Sequence, residues 1–337
     1  MKHRFRLLRT LALASLMGAA LSVFAQADPR STPASADRYP TRPIRLFIGQ
    51  APGGAVDTIA RLAAERLATR LGQPVVVDNR PGAGGMLAAE AIARAAPDGY
   101  SIGLLDVGPL AVNPVLQPKM SYDVTKDFRY IGTVAKIPLV MVAKPDLSSS
   151  RPAELVAHAK AHPAKLTYGS AGVGSPPHLA FETFKARSGV FITHIPYRGG
   201  APALADVVAG HVDLTFIDTN LASQYQKSGK VKAIAVAMLE RSPLMPEVPT
   251  FNESGLKGFE FAPWVGVVGP AAMPAEAATR LAAALDAVVA SPEFISRLQS
   301  LGFAPFANSP ASFSALVRSE LQSYRTLIKE RGITLEN

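Results

Sequence analysis

Apolar positions along this chain follow two rhythms, and the places where one gives way to the other mark its elements. IRLFIG (Ile44–Gly49) is a nearly continuous apolar run of the kind that forms a buried strand. After Pro52-Gly53-Gly54, the apolar positions Ile59, Leu62, Ala63, Leu67 and Leu71 recur at helical spacing. Arg61, Glu65, Arg66 and Arg70 fall on the opposite face, which predicts a helix over Val56–Leu71. The alternation continues with a strand at Pro74–Asp78, a second glycine turn at Asn79–Gly85 and a helix at Met86–Ala95. The turn Pro97-Asp98-Gly99 and a buried strand at Tyr100–Val107 follow.

A second set begins at Leu139–Ala143, with a helix at Arg151–Ala161 and a strand at Leu166–Gly169. The loop Ser170–Pro177 leads into a helix over His178–Ala186. Strands at Phe191–Ile195, Val212–Ile217 and Lys232–Met238 flank a helix at Ala201–Ala209. A proline-punctuated loop then reaches the strand Trp264–Val268 and the helix Ala275–Ala290. Apolar strands interleaved with helices predict an α/β protein with doubly wound, mostly parallel sheets and ligands at the C-terminal strand ends. There is also an internal echo. LVMVAKPD and WVGVVGPAA are both apolar strands that end in proline and run toward an alanine-rich helix, and a strand–glycine-loop–helix unit occurs at Gly53 and again at Gly172.

The glycine turns carry the candidate chemistry. The first N–H groups of a helix have no partner within it and lie at the positive end of its dipole, so a strand–glycine-turn–helix unit offers a seat for a carboxylate or phosphate. In PGGAVD (Pro52–Asp57) the N–H groups of Gly53, Gly54 and Ala55 are the expected donors. Asp57 would fix the turn or hold a water, and Gln50 would add an amide. SAGVGS (Ser170, Ala171, Gly172, Val173, Gly174, Ser175) adds two hydroxyls before the next helix, with His178 capping or lining the loop. Neither loop is a nucleotide motif: no Lys-Ser/Thr follows the glycines, and GAGG at Gly82–Gly85 lacks the dinucleotide fingerprint.

Other chemistries find little support. His178, His194 and His211 lack metal-ligand spacing, so no metal and no cofactor is expected. No G-x-S-x-G or Ser-x-x-Lys motif occurs, and Asp206 and Asp213 have no evident acid/base partner, so the chain does not read as an enzyme. Trp264, the single tryptophan, reads as core.

Lys2, Arg4, Arg6 and Arg9 precede an apolar stretch at Thr10–Val23, which predicts an export signal; of two competing small-residue cleavage sites, Val23-Phe24-Ala25 and Ala25-Gln26-Ala27, the second is favoured and gives a leader over residues 1–27 and a mature start at Asp28. DPRSTPASADR (Asp28–Arg38) reads as a flexible tether. Without the leader the formal charge of +9 falls to about +5, dispersed among acids rather than clustered as a nucleic-acid surface requires. The absence of cysteine excludes a disulfide framework, a thiol catalyst and a lipidated mature terminus. A soluble, exported protein of two domains is expected.

Ten segments in order resemble one family. They are YPTRPIRL, PGGAVDTIAR, LGQPVVVDNRPGAGG, PDGYSI, YDVTKDF, YGSAGVGSPPHLAFE, HIPYRGGAPAL, GKVKAIAV, PEVPTFNESG and PWVGVVGP, running from Tyr39 to Pro270, and the resemblance covers Tyr39–Gly332. The chain resembles the periplasmic solute-binding receptors of the tripartite tricarboxylate transporter, the Bug/TctC family. The resemblance implies a two-lobed periplasmic-binding-protein type II fold, with residues 39–135 plus 236–337 as lobe one and residues 136–235 as lobe two. Crossing segments are implied near Val134–Pro138 and Ala233–Val236.

It further implies a monomer in the periplasm that captures a small carboxylate, acidic amino acid or amide between its lobes. Loop backbone, helix ends and bridging water hold the ligand, with no arginine clamp, and the closed form delivers it to the transporter's membrane subunits. Carried onto this chain, the site falls on Gln50, Pro52–Asp57, Asp106–Gly108, Ser170–Ser175, His178, Tyr197 and Asp218, with Arg198 the nearest cation. Two departures stand out: Gln50-Ala51 where an aromatic or proline is usual, and an acid, Asp106, where small neutral residues are usual. Two other functions remain open at this point, a sensor presenting its closed form to a membrane signalling protein and an exported hydrolase.

Overall fold

A computed structural model describes residues 39–117, 119–197 and 199–334. The expected leader, the tether and Arg198 lie outside the described residues.

The first sheet begins with β1 (Ile44–Ile48), whose Ile44, Leu46 and Ile48 are completely buried. Helix α1 (Ala55–Leu71) follows and turns Ile59, Ala60, Ala63 and Leu67 inward, as its periodicity predicts. It ends at Gly72 in the left-handed conformation, whose N–H donates to the Ala68 carbonyl. Next come β2 (Val75–Asn79), α2 (Met86–Ala93) and β3 (Ser101–Asp106). A π-type turn (Gly108–Val112) and the short α3 (Asn113–Leu116) lead to β4 (Phe128–Lys136).

The second sheet takes β5 (Leu139–Ala143), β6 (Thr167–Ser170), β7 (Thr193–Pro196), β8 (Leu214–Asp218) and β9 (Lys232–Val236). Helices α4 (Pro152–Ala161), α5 (Pro176–Ser188), α6 (Gly200–Ala209) and α7 (Thr219–Lys227) intervene. The chain then returns through β10 (Trp264–Pro270), α8 (Ala275–Val289), α9 (Pro292–Ser300), β11 (Ala304–Pro305) and α10 (Pro310–Arg331). The strand order is β11-β4-β10-β3-β1-β2 in one sheet and β7-β6-β8-β5-β9 in the other.

Both sheets are mixed, and in the same way. Strands β1 to β4 run one way, with β10 inserted antiparallel between β3 and β4 and β11 antiparallel at the edge. Strands β6 to β9 run one way, with β5 inserted antiparallel between β8 and β9. The echoing segments LVMVAKPD and WVGVVGPAA begin at these inserted strands.

The reason lies in the path of the chain. Each inserted strand starts just after a crossing and enters its new sheet from the C-terminal edge: Leu139 pairs with Asp218, and Trp264 pairs with Lys136. Only Ile137 and Pro138 separate β4 from β5, and the Ile137 N–H donates to Pro263 O across the other crossing. The C-terminal edges of the two sheets, where the glycine loops lie, are therefore joined by the crossings themselves.

Some elements differ from the sequence reading. Periodicity leaves out β4, α7, α9 and α10. The second crossing starts at Ala237, after β9, rather than within Ala233–Val236. Trp264 is 2 % exposed and meets Phe313 edge-on at 5.3 Å, as a core residue does.

Candidate functional site

In the first lobe the PGGAVD turn lies at the end of β1 and opens α1 at Gly54. Asp57 shapes it. This side chain is buried at 4 % exposure, and its Oδ2 accepts the Gly53 N–H at 2.9 Å. Arg61 donates to both carboxylate oxygens through Nε (3.0 Å) and Nη2 (2.9 Å), and Asn79 Nδ2 donates to Oδ1 at 2.9 Å. Burial pushes this carboxyl up, but the bonds from Arg61, Gly53 and Asn79 outweigh it and hold the group below the usual carboxylate range. The expected three-donor seat is thereby corrected: the Gly53 N–H is taken within the turn, and Gly54 and Ala55 are the donors left at the head of the helix.

Gln50 and Asp106 meet at the neighbouring strand ends. Gln50 Nε2 donates to Asp106 Oδ2 at 2.9 Å, and the Gly108 N–H donates to Oδ1 at 3.0 Å. Burial raises the Asp106 carboxyl above its ordinary value, which these two bonds only partly offset.

The Gly82–Gly85 loop belongs to the same corner. Gly49 and Gly85 come so close that a Cβ on Gly49 would stand 2.5 Å from Gly85 Cα. Asn113 Nδ2 donates to Gly84 O at 3.0 Å, tying this loop to α3. Sequence reasoning noted GAGG as a turn but left it out of the site, along with Asn79 and Asn113. The three strand–turn units of β1, β2 and β3 were the available signal.

In the second lobe the SAGVGS loop links β6 to α5, the position that PGGAVD takes in the first sheet. Ser170 is fully buried; its Oγ accepts the Gly172 N–H at 3.1 Å and lies 2.7 Å from His194 Nε2. His178 Nδ1 accepts the Gly174 N–H at 3.0 Å, so the expected capping role is the one observed. The two imidazoles stack at 4.2 Å, and Tyr168 stacks on His194 at 4.8 Å. Burial holds both histidines down to about 4, so both are neutral at ordinary pH.

The stack rests on a buried carboxylate. Glu182 accepts Tyr168 Oη (2.8 Å) and Lys185 Nζ (2.5 Å) on Oε1, and Arg331 Nε of α10 (3.1 Å) on Oε2.

Ser175 stands at the N-cap position of α5 without a side-chain capping bond, and its buried Oγ has no hydrogen-bond partner. Ala171 and Gly172 are partly exposed beside it, and Gly172 lies near the Tyr197 carbonyl. The Tyr197 hydroxyl donates to Asp206 at 2.5 Å, and Asp218 Oδ1 caps α7 by accepting the Leu221 N–H at 3.0 Å. Ser170, Tyr197 and Asp218 thus use these polar atoms inside the protein and act as shaping residues of the loops.

The two loop systems meet. Gly174 sits against Leu116 of α3 and Val112 of the π-type turn. A groove of about 610 Å³ on the first lobe, lined by Tyr130, Ala278, Ala282 and Asn308, involves none of the candidate residues. Among the described residues no group of three His, Asp or Glu side chains is placed to hold a metal.

Comparison with known proteins agrees with this architecture. The chain is 33% identical over 319 residues to BugT of Bordetella pertussis, covering 94% of this chain and 98% of BugT. It is similar to the solved structure of Rpa4515 of R. palustris with adipate, at 33% identity and a TM-score of 0.80, covering 88% of this chain and 99% of that one. It is also similar to MatC from Rhodopseudomonas palustris with bound malate, at 31% identity and a TM-score of 0.75, covering 86% and 100%. The model of the TctC family, the tripartite tricarboxylate transporter family receptors, matches residues 59–333. With two sheets of matching topology that each carry a glycine loop at a helix head, the chain belongs to this Bug/TctC family of solute-binding receptors.

Proposed function

We propose that this receptor captures a small carboxylate between its lobes and, once closed, presents it to the membrane subunits of a tripartite tricarboxylate-type transporter. The observation that carries the reading is the pairing of β1–α1 with β6–α5. Equivalent helix heads emerge at the two strand edges that the crossings join. Adipate and malate, both dicarboxylates, in two structural relatives support a small carboxylate as the ligand class.

In this reading Gly54, Ala55 and Ser175 contact the ligand directly, with Pro52, Ala171 and Gly172 forming the walls. Asp57, Ser170, His178, Tyr197 and Asp218 hold the loops in shape. Asp106 with Gln50 supplies an acidic-to-neutral corner that disfavours a highly charged ligand. The expected lobe bounds, 39–135 plus 236–337 and 136–235, move by one residue so that β4 and β9 stay whole: lobe one is assigned to residues 39–136 and 237–337 and lobe two to 137–236, and the chain acts as a monomer in the periplasm after loss of residues 1–27.

A thermal-shift titration of the purified protein against C3–C6 mono- and dicarboxylates, acidic amino acids and their amides tests this. A ligand at 100 times its Kd stabilises the folded state by about 2.7 kcal/mol, a readable rise in Tm. No shift with any member, in protein freed of carried-over ligand by unfolding and refolding, would overturn the carboxylate reading.

A further inference from the structure

Helix α5 carries the SAGVGS loop at its head, and its lower half is held by chain from outside the second sheet. Arg187, in its last turn, donates through Nη1 to Gly258 O at 2.9 Å and through Nη2 to Lys257 O, both in the second crossing. Nearer the head, Glu182 accepts Arg331 Nε at 3.1 Å from the last turn of α10. The rest of α10 is built into the first lobe. It packs on β4, the π-type turn and α3, and Phe313 near its start meets Tyr130 and Trp264 edge-on.

The contact at Glu182 is ionic. Burial would raise this carboxyl, which is 5 % exposed, but Lys185, Tyr168 and Arg331 outweigh burial and hold it below the usual range. Glu182 also supports the loop above it. Tyr168, which donates to Glu182, stacks on His194, and His194 lies 2.7 Å from Ser170 Oγ. His178, one turn up the same face of α5, accepts the Gly174 N–H. Gly174 rests on Leu116 of α3, the helix on which α10 itself packs. The first lobe therefore grips α5 at its head and again partway down.

We propose that Arg331 is a positioning residue of the ligand site. Clasped to Glu182, the last turn of α10 sets the angle of α5, and of the second lobe with it, against the first lobe. The second glycine loop is thereby held opposite the first. Two helical turns, about 10 Å, separate Glu182 from Ser175, so a tilt of roughly 10° moves the helix head by roughly 2 Å. That is more than a preorganised site tolerates. Which ligand is held rests on the proposed function; the clasp itself does not.

Arg331→Met is expected to weaken the best carboxylate by about fivefold or more in calorimetric titration. Arg331→Lys should stay within about twofold of the wild type, because the contact is a single N–H rather than a fork. Ser309→Ala is the control for a merely structural role. It removes the side-chain cap at the opposite end of α10, where Ser309 Oγ accepts the Ser312 N–H. This variant should lower Tm yet leave affinity unchanged. Unchanged affinity in folded Arg331→Met, or an equal loss in Ser309→Ala, would overturn the proposal.

A second measurement needs no ligand. The sequence has no cysteine, so Thr69→Cys on α1 and Lys160→Cys on α4, both exposed positions, accept a pair of spin labels. The distance distribution between them is expected to broaden with Arg331→Met and to stay as in the wild type with Ser309→Ala. Broadening beside a blank carboxylate panel would fail the ligand reading and leave the clasp standing. A distribution unchanged by Arg331→Met would overturn the clasp whatever the ligand.

Discussion

Gly174 of the second lobe lies against Leu116 of the first, so close that a Cβ at position 174 would stand 2.3 Å from Leu116 Cδ1. Its φ of +75° is also one that L side chains avoid. The two lobes touch at the glycine loop that the proposed function places beside the ligand, and the two halves of the anion seat therefore respond differently to the same substitution.

Gly54→Asp is the clean test of the seat. Gly54 has an extended φ of −78° and its nearest neighbour to an added Cβ is the Ala51 carbonyl at 3.6 Å, so a side chain fits. Aspartate is also a good N-cap, so stability should hold or rise by a few tenths of a kcal/mol. The new carboxylate would occupy the place of the ligand's and weaken binding at least tenfold. Gly174→Asp should instead lower stability by about 1–3 kcal/mol through strain and contact with Leu116. Calorimetric titration with the best carboxylate, beside a Tm for each variant, separates the two outcomes.

Asp57→Asn should damage the loop rather than the ligand contact alone. The neutral amide cannot hold Arg61, the Gly53 N–H and Asn79 together as the carboxylate does. A loss of about 1–3 kcal/mol is expected in urea unfolding, with weaker ligand affinity. Unchanged stability would show that the turn does not depend on this carboxylate.

The histidine stack predicts acid sensitivity. His178 and His194 are held down to about 4 in the folded protein, against about 6.5 in an unfolded chain. Between those values the unfolded state binds more protons, so the stability these groups give is complete above pH 6.5 and is lost as the pH falls toward 4. His178 contributes on the order of 3 kcal/mol at most. The more exposed His194 contributes less, because solvent screens it. Urea midpoints from pH 7.5 to 4.5 should decline in the wild type, and His194→Phe should flatten the curve.

Removing Arg331 or Glu182 tests the link from α10 to the second lobe. Glu182→Leu leaves Lys185 buried at 7 % exposure without its partner and should cost about 3–5 kcal/mol. Arg331→Met removes a partner that is 28 % exposed and should cost less, about 1 kcal/mol. Equal effects in thermal unfolding would mean that Lys185 does not need the pair.

The sequence made the repeated βα units legible because their helices are one-sided and their strands are short and apolar. Helix α5 is different: His178, Glu182 and Lys185 are buried alongside Leu179, Phe181 and Phe184, so no polar face marks it as a helix packed on one side. Its charges are intelligible only once Tyr168 and Arg331 are brought to Glu182 from elsewhere in the chain. The antiparallel insertion of β5 and β10 was likewise hidden, since an apolar run carries no direction. The echo between these two strands was visible, and its meaning depended on strand order. The sequence leaves Asp57 either fixing the turn or holding a water; that its carboxylate takes up the Gly53 N–H, while Arg61 and Asn79 hold it in place, is visible only in three dimensions.

Strand β10 separates β3 from β4 in space yet follows the whole second sheet in the chain. As the polypeptide lengthens, strands β1 to β4 emerge early but lack the piece that unites them. The second sheet has all its strands by Val236, well before Trp264–Pro270 arrives. The half of the molecule synthesised first is therefore finished last, and the contiguous half within it is free to mature ahead of the frame that surrounds it.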